Sequence, residues 1–157
     1  MLKTSKDPKD HKLIKNLGPE PLGNNFNGGY LFKKSRKKSL PIKNFIMDSK
    51  IVVGVGNIYA NEALFMAGIR PTKKSGLISK VKFEELSHAI VITLREAIEA
   101  GGTTLKDYTN AEEAPGYFKK ELKVYDRGGE NCVKCNKKLK EIRQANRQTV
   151  YCSTCQN

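Results

Sequence analysis

Four cysteines near the end of the chain constrain its fold more than any other feature of the sequence. Cys132 and Cys135 form one C-x2-C pair, Cys152 and Cys155 form a second, and residues 1–131 contain no cysteine. Each C-x2-C turn directs two sulfur atoms to one point about 2.3 Å away, so two turns complete the tetrahedron of a four-thiolate zinc site. We therefore predict one structural Zn2+ held on a small β-hairpin ribbon, because four thiolates leave no position open for water.

Other chemistry is compatible with the same cysteine pattern. Two disulfides, a redox-active C-x-x-C or an iron–sulfur cluster would also use these residues. Zinc is favoured because Met1 to Asp7 carry no apolar signal segment, and thiols in a cytosol stay reduced. Paired cysteine turns in a basic tail also favour zinc over an iron–sulfur cluster.

The basic residues are abundant and unevenly distributed. Lys plus Arg number 29 and Asp plus Glu number 16, which gives a net charge of +13. Residues 1–50 carry +8 (12 basic, 4 acidic), residues 51–120 carry +1 (9 and 8), and residues 121–157 carry +4 (8 and 4). No apolar run approaches the roughly 18 residues of a membrane span. We therefore expect no membrane association and an acidic partner, of which nucleic acid is the commonest.

Periodicity and helix breakers predict a mainly α chain that ends in a β-hairpin. The strongest helix is predicted over residues 82–100, where apolar residues recur every three or four positions. Shorter helices are predicted at three places: Asn27 to Lys38, after Pro41, and from an N-cap at Asn57 to Gly68. Three parts follow along the chain: a polar lead-in over residues 1–15, a helical module over residues 16–120 and the four-cysteine zinc finger over residues 121–157.

Three groups of residues could bind phosphate. Gly54 and Gly56 precede the helix at Asn57, and a glycine-rich backbone before free helical N–H groups suits an anion, although it also fits an ordinary tight turn. The run from Lys33 to Lys38 contains no acid, so it would either meet phosphate or form a solvated helix face. Arg147, near the expected hairpin tip, could fork onto a phosphate or remain a solvent-exposed turn residue.

Several motifs, in the same order, resemble bacterial formamidopyrimidine-DNA glycosylase. The matching segments are Leu17 to Leu22, Met47-Asp48, Val52 to Glu62, Gly101 to Asp107, Pro115 to Phe118, Leu122 to Tyr125 and the four-cysteine tail. This resemblance, from about residue 10 to residue 157, implies a helix-two-turns-helix DNA-binding module over residues 16–120, followed by a zinc finger. It also implies base-excision repair, in which oxidised purines such as 8-oxoguanine and formamidopyrimidine are removed and the abasic site is cut.

The resemblance also implies roles for individual residues. Asn57 and Lys43 match residues that hold phosphate. Arg147 matches an arginine that contacts the phosphates flanking the flipped nucleotide and donates a proton in the second elimination. Residues Lys106 to Phe118 match a flexible loop that closes over the everted base. The full set expected to contact DNA is Lys38, Lys43, Gly56, Asn57, Tyr59, Lys106 and Arg147, although the spacing of Tyr59 also fits a helical core.

One part of the family pattern is not found in this sequence. Family members begin with a proline whose amine attacks the sugar C1′, on an N-terminal β-sandwich domain, whereas this chain begins Met1-Leu2-Lys3. We therefore expect the DNA-binding half of a glycosylase/lyase, inactive alone, which binds damaged or abasic double-stranded DNA in the nucleoid of a bacterial cytoplasm. The alternatives are a glycosylase/lyase made competent by a separate N-terminal catalytic domain, and a zinc-ribbon protein-interaction module.

Overall fold

The computed structural model describes residues 17–101 and 122–157. The helices are α1 (Gly28–Ser35), α2 (Ile42–Met47), α3 (Asn57–Ala67) and α4 (Lys80–Gly101), with a short 3-10 turn at Ser75–Leu77 before α4. Two strands, β1 (Lys140–Gln144) and β2 (Arg147–Tyr151), follow. The mainly helical class with a small terminal hairpin is confirmed. The predicted lead-in over residues 1–15 and the predicted loop from Lys106 to Phe118 lie outside the described residues, and the domain boundaries stay a prediction.

Helix α1 begins where the sequence predicts, after Asn27, but it ends at Ser35, three residues before the predicted end at Lys38. The Asn27 side-chain oxygen accepts a hydrogen bond from Tyr30 N at 2.8 Å, which satisfies one of the N–H groups that the helix leaves unpaired. Lys33 and Lys34 lie in the last turn, where the helix dipole favours cations. The chain then turns at Lys37, which adopts a left-handed backbone conformation with φ of 67°.

Helices α1 to α4 all contribute to the main core. Gly28 in α1 lies so close to α4 that a Cβ atom there would sit 2.4 Å from Glu84 Cα, so the two helices can approach only because residue 28 has no side chain. Every residue of α3 is buried except Met66, which makes α3 the central element. No helix among the described residues combines the length and apolarity needed to cross a membrane. The largest buried side chains of this core include Leu31, Phe45, Tyr59, Leu64, Phe83 and Leu86.

Three helix starts differ slightly from their predictions. Gly56, not Asn57, is the N-cap of α3, and Asn57 is the first helical residue. The Asn57 side chain does not cap its own helix because it is hydrogen-bonded to the β-hairpin instead. Pro41 is the N-cap of α2 rather than a first-turn residue, and α4 begins at Lys80, two residues before the predicted start. The predicted end of α3 is confirmed, since Gly68 closes it with φ of 73°.

The two strands form an antiparallel hairpin with a two-residue turn. Gln144 pairs with Arg147, and the turn residues Ala145 and Asn146 have φ of 50° and 64°. Positive φ at both central positions is the type I′ arrangement, whose twist matches that of the strands. The hairpin packs on the helical module through a second, smaller apolar cluster in which Phe65 of α3 is joined by residues from the C-terminal region. Its other buried members are Val124, Cys132, Leu139, Val150 and Cys152.

Glu62 attaches the segment before the hairpin to α3. Its carboxylate accepts hydrogen bonds from the backbone N–H groups of Lys123 at 2.7 Å, Val124 at 2.9 Å and Tyr125 at 2.8 Å. Glu62 is buried, so these three donors replace the water that its carboxylate loses on folding. The position of the C-terminal region therefore depends on this one side chain as well as on the apolar cluster around Phe65.

We predict that Glu62→Gln destabilises the fold by about 1–3 kcal/mol, because one carboxylate oxygen becomes an NH2 group that faces backbone N–H donors. Urea unfolding followed by circular dichroism measures this change. The matched control is Glu85→Gln on α4, whose exposed ion pair with Lys82 is worth less than about 1 kcal/mol. Equal stability of the two variants would show that Glu62 does not hold the C-terminal segment.

Candidate nucleic-acid interface and metal centre

The N-terminus of α3 and strand β2 meet at one carbonyl group. The backbone oxygen of Gln148 accepts hydrogen bonds from Lys43 Nζ at 3.1 Å, Asn57 Nδ2 at 3.0 Å and Asn61 Nδ2 at 3.3 Å. Three side chains from α2 and α3 therefore converge on the residue next to Arg147. Sequence reasoning selected Lys43, Asn57 and Arg147 separately, and the structure brings all three together.

Lys43 is a buried cation within this group. Its side chain is 1% exposed, and Nζ also donates to Thr149 Oγ1 at 2.7 Å. Burial, together with the nearby positive charge of Arg147, lowers the pKa of Lys43 from its ordinary 10.5 to about 8. Arg147 itself is exposed at the start of β2. The two cations repel each other, so an anion placed beside them would relieve both the repulsion and the desolvation of Lys43.

Asn61 holds the strand in register against the helix. Its Oδ1 atom accepts from Val150 N at 2.8 Å, and its Nδ2 atom donates to Asn57 O at 2.8 Å. Asn61 is fully buried, and sequence reasoning did not select it. The one signal was a second polar residue four positions after Asn57, which places both side chains on the same face of α3.

The entrance of α3 retains unused hydrogen-bonding capacity. Its first intrahelical hydrogen bond joins Ala60 N to Gly56 O at 2.9 Å, so the N–H groups of the three preceding residues have no partner within the helix. Asn57 Oδ1 is buried without a hydrogen-bond partner in the described part of the chain. The Asn57 side chain also lies within hydrogen-bonding reach of the Tyr125 hydroxyl, and burial raises the pKa of Tyr125. Tyr125 is therefore a further member of this group that sequence reasoning missed.

A cleft of about 250 Å³ opens between α2 and the tip of the hairpin. It is lined by Lys43, Asn44, Met47, Asp48, Gln144, Ala145 and Arg147. Asp48 contributes a carboxylate, so the cleft has charges of both signs and its cationic side is formed by Lys43 and Arg147. The two cations selected by resemblance thus share one concave surface.

The other predicted DNA contacts differ in their position relative to the group around Gln148. Gly56 is adjacent to Asn57 as the N-cap of α3. Tyr59 is 0% exposed and its ring packs in the main core, so the predicted contact with DNA through Tyr59 stays a prediction. Lys38 is exposed and lies in the segment after α1, and it is not one of the residues that converge on Gln148. Lys106 lies outside the described residues.

The four cysteines form a cluster that could hold a metal ion. Their sulfur atoms all lie within 4.8 Å of one another, with Cys135 Sγ 3.4 Å from Cys152 Sγ and Cys132 Sγ 3.9 Å from Cys155 Sγ. Backbone N–H groups donate to the sulfurs, with Lys134 N at 3.4 Å from Cys132 Sγ and Cys155 N at 3.4 Å from Cys152 Sγ. Such N–H···S hydrogen bonds stabilise thiolates, so the turns are suited to metal binding.

The second cysteine turn is anchored to the loop after α3. Gln156 accepts from Cys152 N at 2.8 Å through Oε1 and donates to Ile69 O at 2.9 Å through Nε2. Arg70 donates to Ser153 O at 2.7 Å. These contacts fix the cysteine cluster relative to α3, and therefore also relative to the group around Gln148.

The sequence pattern that defines the formamidopyrimidine-DNA glycosylase H2TH domain matches residues 17–109. These residues include all four helices and the residues that converge from α2 and α3 on Gln148. This chain belongs to the formamidopyrimidine-DNA glycosylase family.

Curated relatives and solved structures of the family match nearly the whole chain. Formamidopyrimidine-DNA glycosylase of Marinomonas sp. (strain MWYL1) is 55% identical over 157 residues, which are 100% of this chain and 58% of that protein. The complex of Lactococcus lactis Fpg with DNA containing an abasic site has a TM-score of 0.80 at 31% identity and covers 95% of this chain and 55% of that one. MutM (Fpg) of Thermus thermophilus has a TM-score of 0.80 at 35% identity, covering 96% and 57%. The chain thus spans little more than half the length of the relatives it matches.

We predict that Arg147→Ala raises the pKa of Lys43 in this family member, because the variant removes the neighbouring positive charge. An NMR pH titration of the Lys43 side chain measures the shift, and Lys140→Ala at the other end of the hairpin serves as the control. The penalty for burying charged Lys43 is fully present below pH 8 and is relieved as the pH rises from about 8 toward 10.5. The free energy of unfolding therefore increases over that pH window. An unchanged titration in Arg147→Ala would mean that burial alone sets the pKa.

Proposed function

We propose that this chain is the DNA-binding half of a base-excision repair glycosylase/lyase that acts on oxidised purines. One observation carries the proposal, namely the convergence of the Lys43, Asn57 and Asn61 side chains on the carbonyl of Gln148, the residue next to Arg147. This convergence places two cations beside a helix N-terminus, and free N–H groups with positive potential are the ordinary features of a phosphate site.

Each member of the group would contribute differently to binding a phosphate. The N–H groups at the start of α3 donate hydrogen bonds, with Gly56 allowing the backbone to approach closely. Arg147 can fork onto two phosphate oxygens, because the guanidinium presents its donors in a planar array. Lys43 would add a positive charge from its buried position and holds β2 through its hydrogen bonds to Gln148 and Thr149. Arg147 would also donate the proton in the second elimination, as the resemblance implies.

The substrate is proposed to be duplex DNA with a damaged base or an abasic site. The Lactococcus lactis relatives were solved with DNA containing an abasic site and with DNA containing Fapy-dG. Excision requires the base to leave the helical stack, which in this family member would involve the loop from Lys106 to Phe118 and the half of the protein that lies outside the match. We propose that a separate N-terminal catalytic domain supplies the nucleophile.

Arg147→Ala tests the proposed phosphate site. We predict that this variant weakens binding to an abasic-site duplex, measured by fluorescence anisotropy, and retains its metal. If about five phosphates are neutralised, the log of the wild-type binding constant falls with log salt at a slope of about −4.5, and the variant slope is shallower by about 0.9.

Lys140→Ala is the matched control, because it removes one exposed charge from the same hairpin at the end away from the turn. Wild-type-like binding by Arg147→Ala would exclude Arg147 from the phosphate site. Binding to a protein ligand with no affinity for duplex DNA would instead support an interaction module.

We also propose that the cysteine cluster holds one structural Zn2+. Zinc–sulfur bonds of about 2.3 Å place the sulfurs of a tetrahedral site about 3.8 Å apart. The distances of 3.4 Å and 3.9 Å bracket that value. Four thiolates complete the coordination shell, so the ion would stabilise the fold and would not activate water.

Chelation tests the structural role of the metal. Zinc binding in small domains contributes about 10–16 kcal/mol of folding free energy, and the cluster around Phe65 is small, so we predict that a chelator unfolds residues 122–157. Helices α1 and α4 keep their amide protection, because they belong to the larger core cluster. Hydrogen exchange measures both regions, and uniform loss of protection across them would contradict the prediction.

A further inference from the structure

A second basic surface extends away from the phosphate site along two paired segments of chain. Residues 36–41 run beside residues 71–76, with Gly76 N donating to Lys38 O at 2.9 Å and Ser75 N donating to Leu40 O at 2.8 Å. We call the cations Lys37, Lys38, Lys73 and Lys74 the lysine tract. We propose that the lysine tract binds the phosphates of duplex DNA beyond those held near Arg147, an inference that rests on the proposed function.

The lysine tract is continuous with the group around Gln148. At its inner end, Ile42 N donates to Lys73 O at 2.7 Å, and Lys43 N donates to Pro71 O at 3.2 Å. The hairpin reaches the same point, since Gln144 Nε2 lies 3.4 Å from Pro71 O. A DNA backbone that leaves the phosphate site on this side would therefore pass directly onto Lys73 and Lys74.

No carboxylate neutralises this surface within the described ranges. From Pro21 to Phe83 the acidic residues are Asp48 and Glu62, of which Glu62 is buried and bound to backbone N–H groups. Among residues 17–101 and 122–157, no lysine of the tract has an ion-pair partner. Lysines that repel one another without neighbouring acids gain most when phosphate groups come between them.

The backbone at Lys37 provides an independent reason to assign a binding role. Its φ of 67° lies in the left-handed region, which costs a lysine roughly 1 kcal/mol and which glycine or asparagine adopts more readily. The chain therefore keeps a long cationic side chain at a position where the turn itself favours a different residue. Strained positions of this kind are concentrated at functional surfaces.

The length of the lysine tract matches a short stretch of DNA. The isolated bridge between Pro41 and Lys74 and the contact between Lys38 and Gly76 are about three residues apart, or about 10 Å along an extended chain. That length corresponds to about three base-pair steps. Leu40 and Leu77 are exposed on the same surface, which would also suit an acidic polypeptide. Continuity with the phosphate site favours DNA.

The test measures how tightly the full protein chain binds duplexes that differ in the length of DNA flanking an abasic site. An abasic site is placed about two or about eight base pairs from one end, on either side, and binding constants and salt slopes are measured. The test variant combines Lys37→Asn, Lys38→Gln and Lys74→Gln. The control removes the same number of charges from exposed positions outside the tract, through Arg95→Gln, Lys138→Gln and Lys140→Gln.

We expect wild type and the control to gain affinity as one of the two flanks lengthens, and the test variant to lose that gain. Its salt slope on the long duplex should be shallower than wild type by about 2.7, which is about 0.9 for each phosphate contact removed. The single variant Lys37→Asn should lose part of the gain while unfolding at the same or a higher urea concentration, because asparagine relieves the left-handed strain. A merely structural lysine would not separate binding from stability in this way.

Other outcomes would overturn the inference and leave the proposed function distinguishable from it. If the test variant keeps the flank-dependent gain while Arg147→Ala binds weakly at every length, the lysine tract does not contact DNA and the phosphate site stands. The inference fails equally if the variant loses binding to polyglutamate but not to the long duplex, which would assign the surface to an acidic polypeptide. If wild type binds no duplex at all, the proposed function fails first.

Discussion

The position of strand β2 against the start of α3 depends on one backbone carbonyl. Gln148 O receives three side-chain donors, from Lys43, Asn57 and Asn61, although a carbonyl has two lone pairs. The shared acceptor ties α2, α3 and the hairpin to one point. It also holds Arg147 beside the start of α3, so the geometry of the proposed phosphate site is set by partly buried hydrogen bonds.

The burial of Lys43 beside Arg147 is electrostatically unfavourable. A lysine that is 1% exposed and lies beside an arginine is held charged at neutral pH against both desolvation and repulsion. An anion bound beside Lys43 and Arg147 would reduce both the desolvation penalty of Lys43 and the repulsion between the two cations, because it would interact with both at once.

The sequence predicted local features better than tertiary ones. The cysteine spacing, the Gly68 terminus and the periodicity of α4 are encoded within a few residues, and each was confirmed. The N-cap assignment to Asn57 was wrong by one residue, because a distant carbonyl competes for that side chain. The partners of Glu62 and Asn61 lie 61 to 89 positions away along the chain, so no local pattern could reveal them. Resemblance selected Lys43 as a candidate phosphate ligand but could not show that it is buried.

The contacts around the proposed phosphate site join residues that lie far apart along the chain, and this has a consequence for folding. Lys43 and Thr149 are separated by 106 positions, and Asn57 and Gln148 by 91. Contacts of such long range form late, because the entropy of closing a large loop must be lost before they contribute. During synthesis the helices can assemble while β2 has yet to be made, and the side chains of Lys43, Asn57 and Asn61 then lack their shared acceptor. Completion of the hairpin is therefore also the step that brings Arg147 beside Lys43, so the geometry proposed to bind an anion forms last.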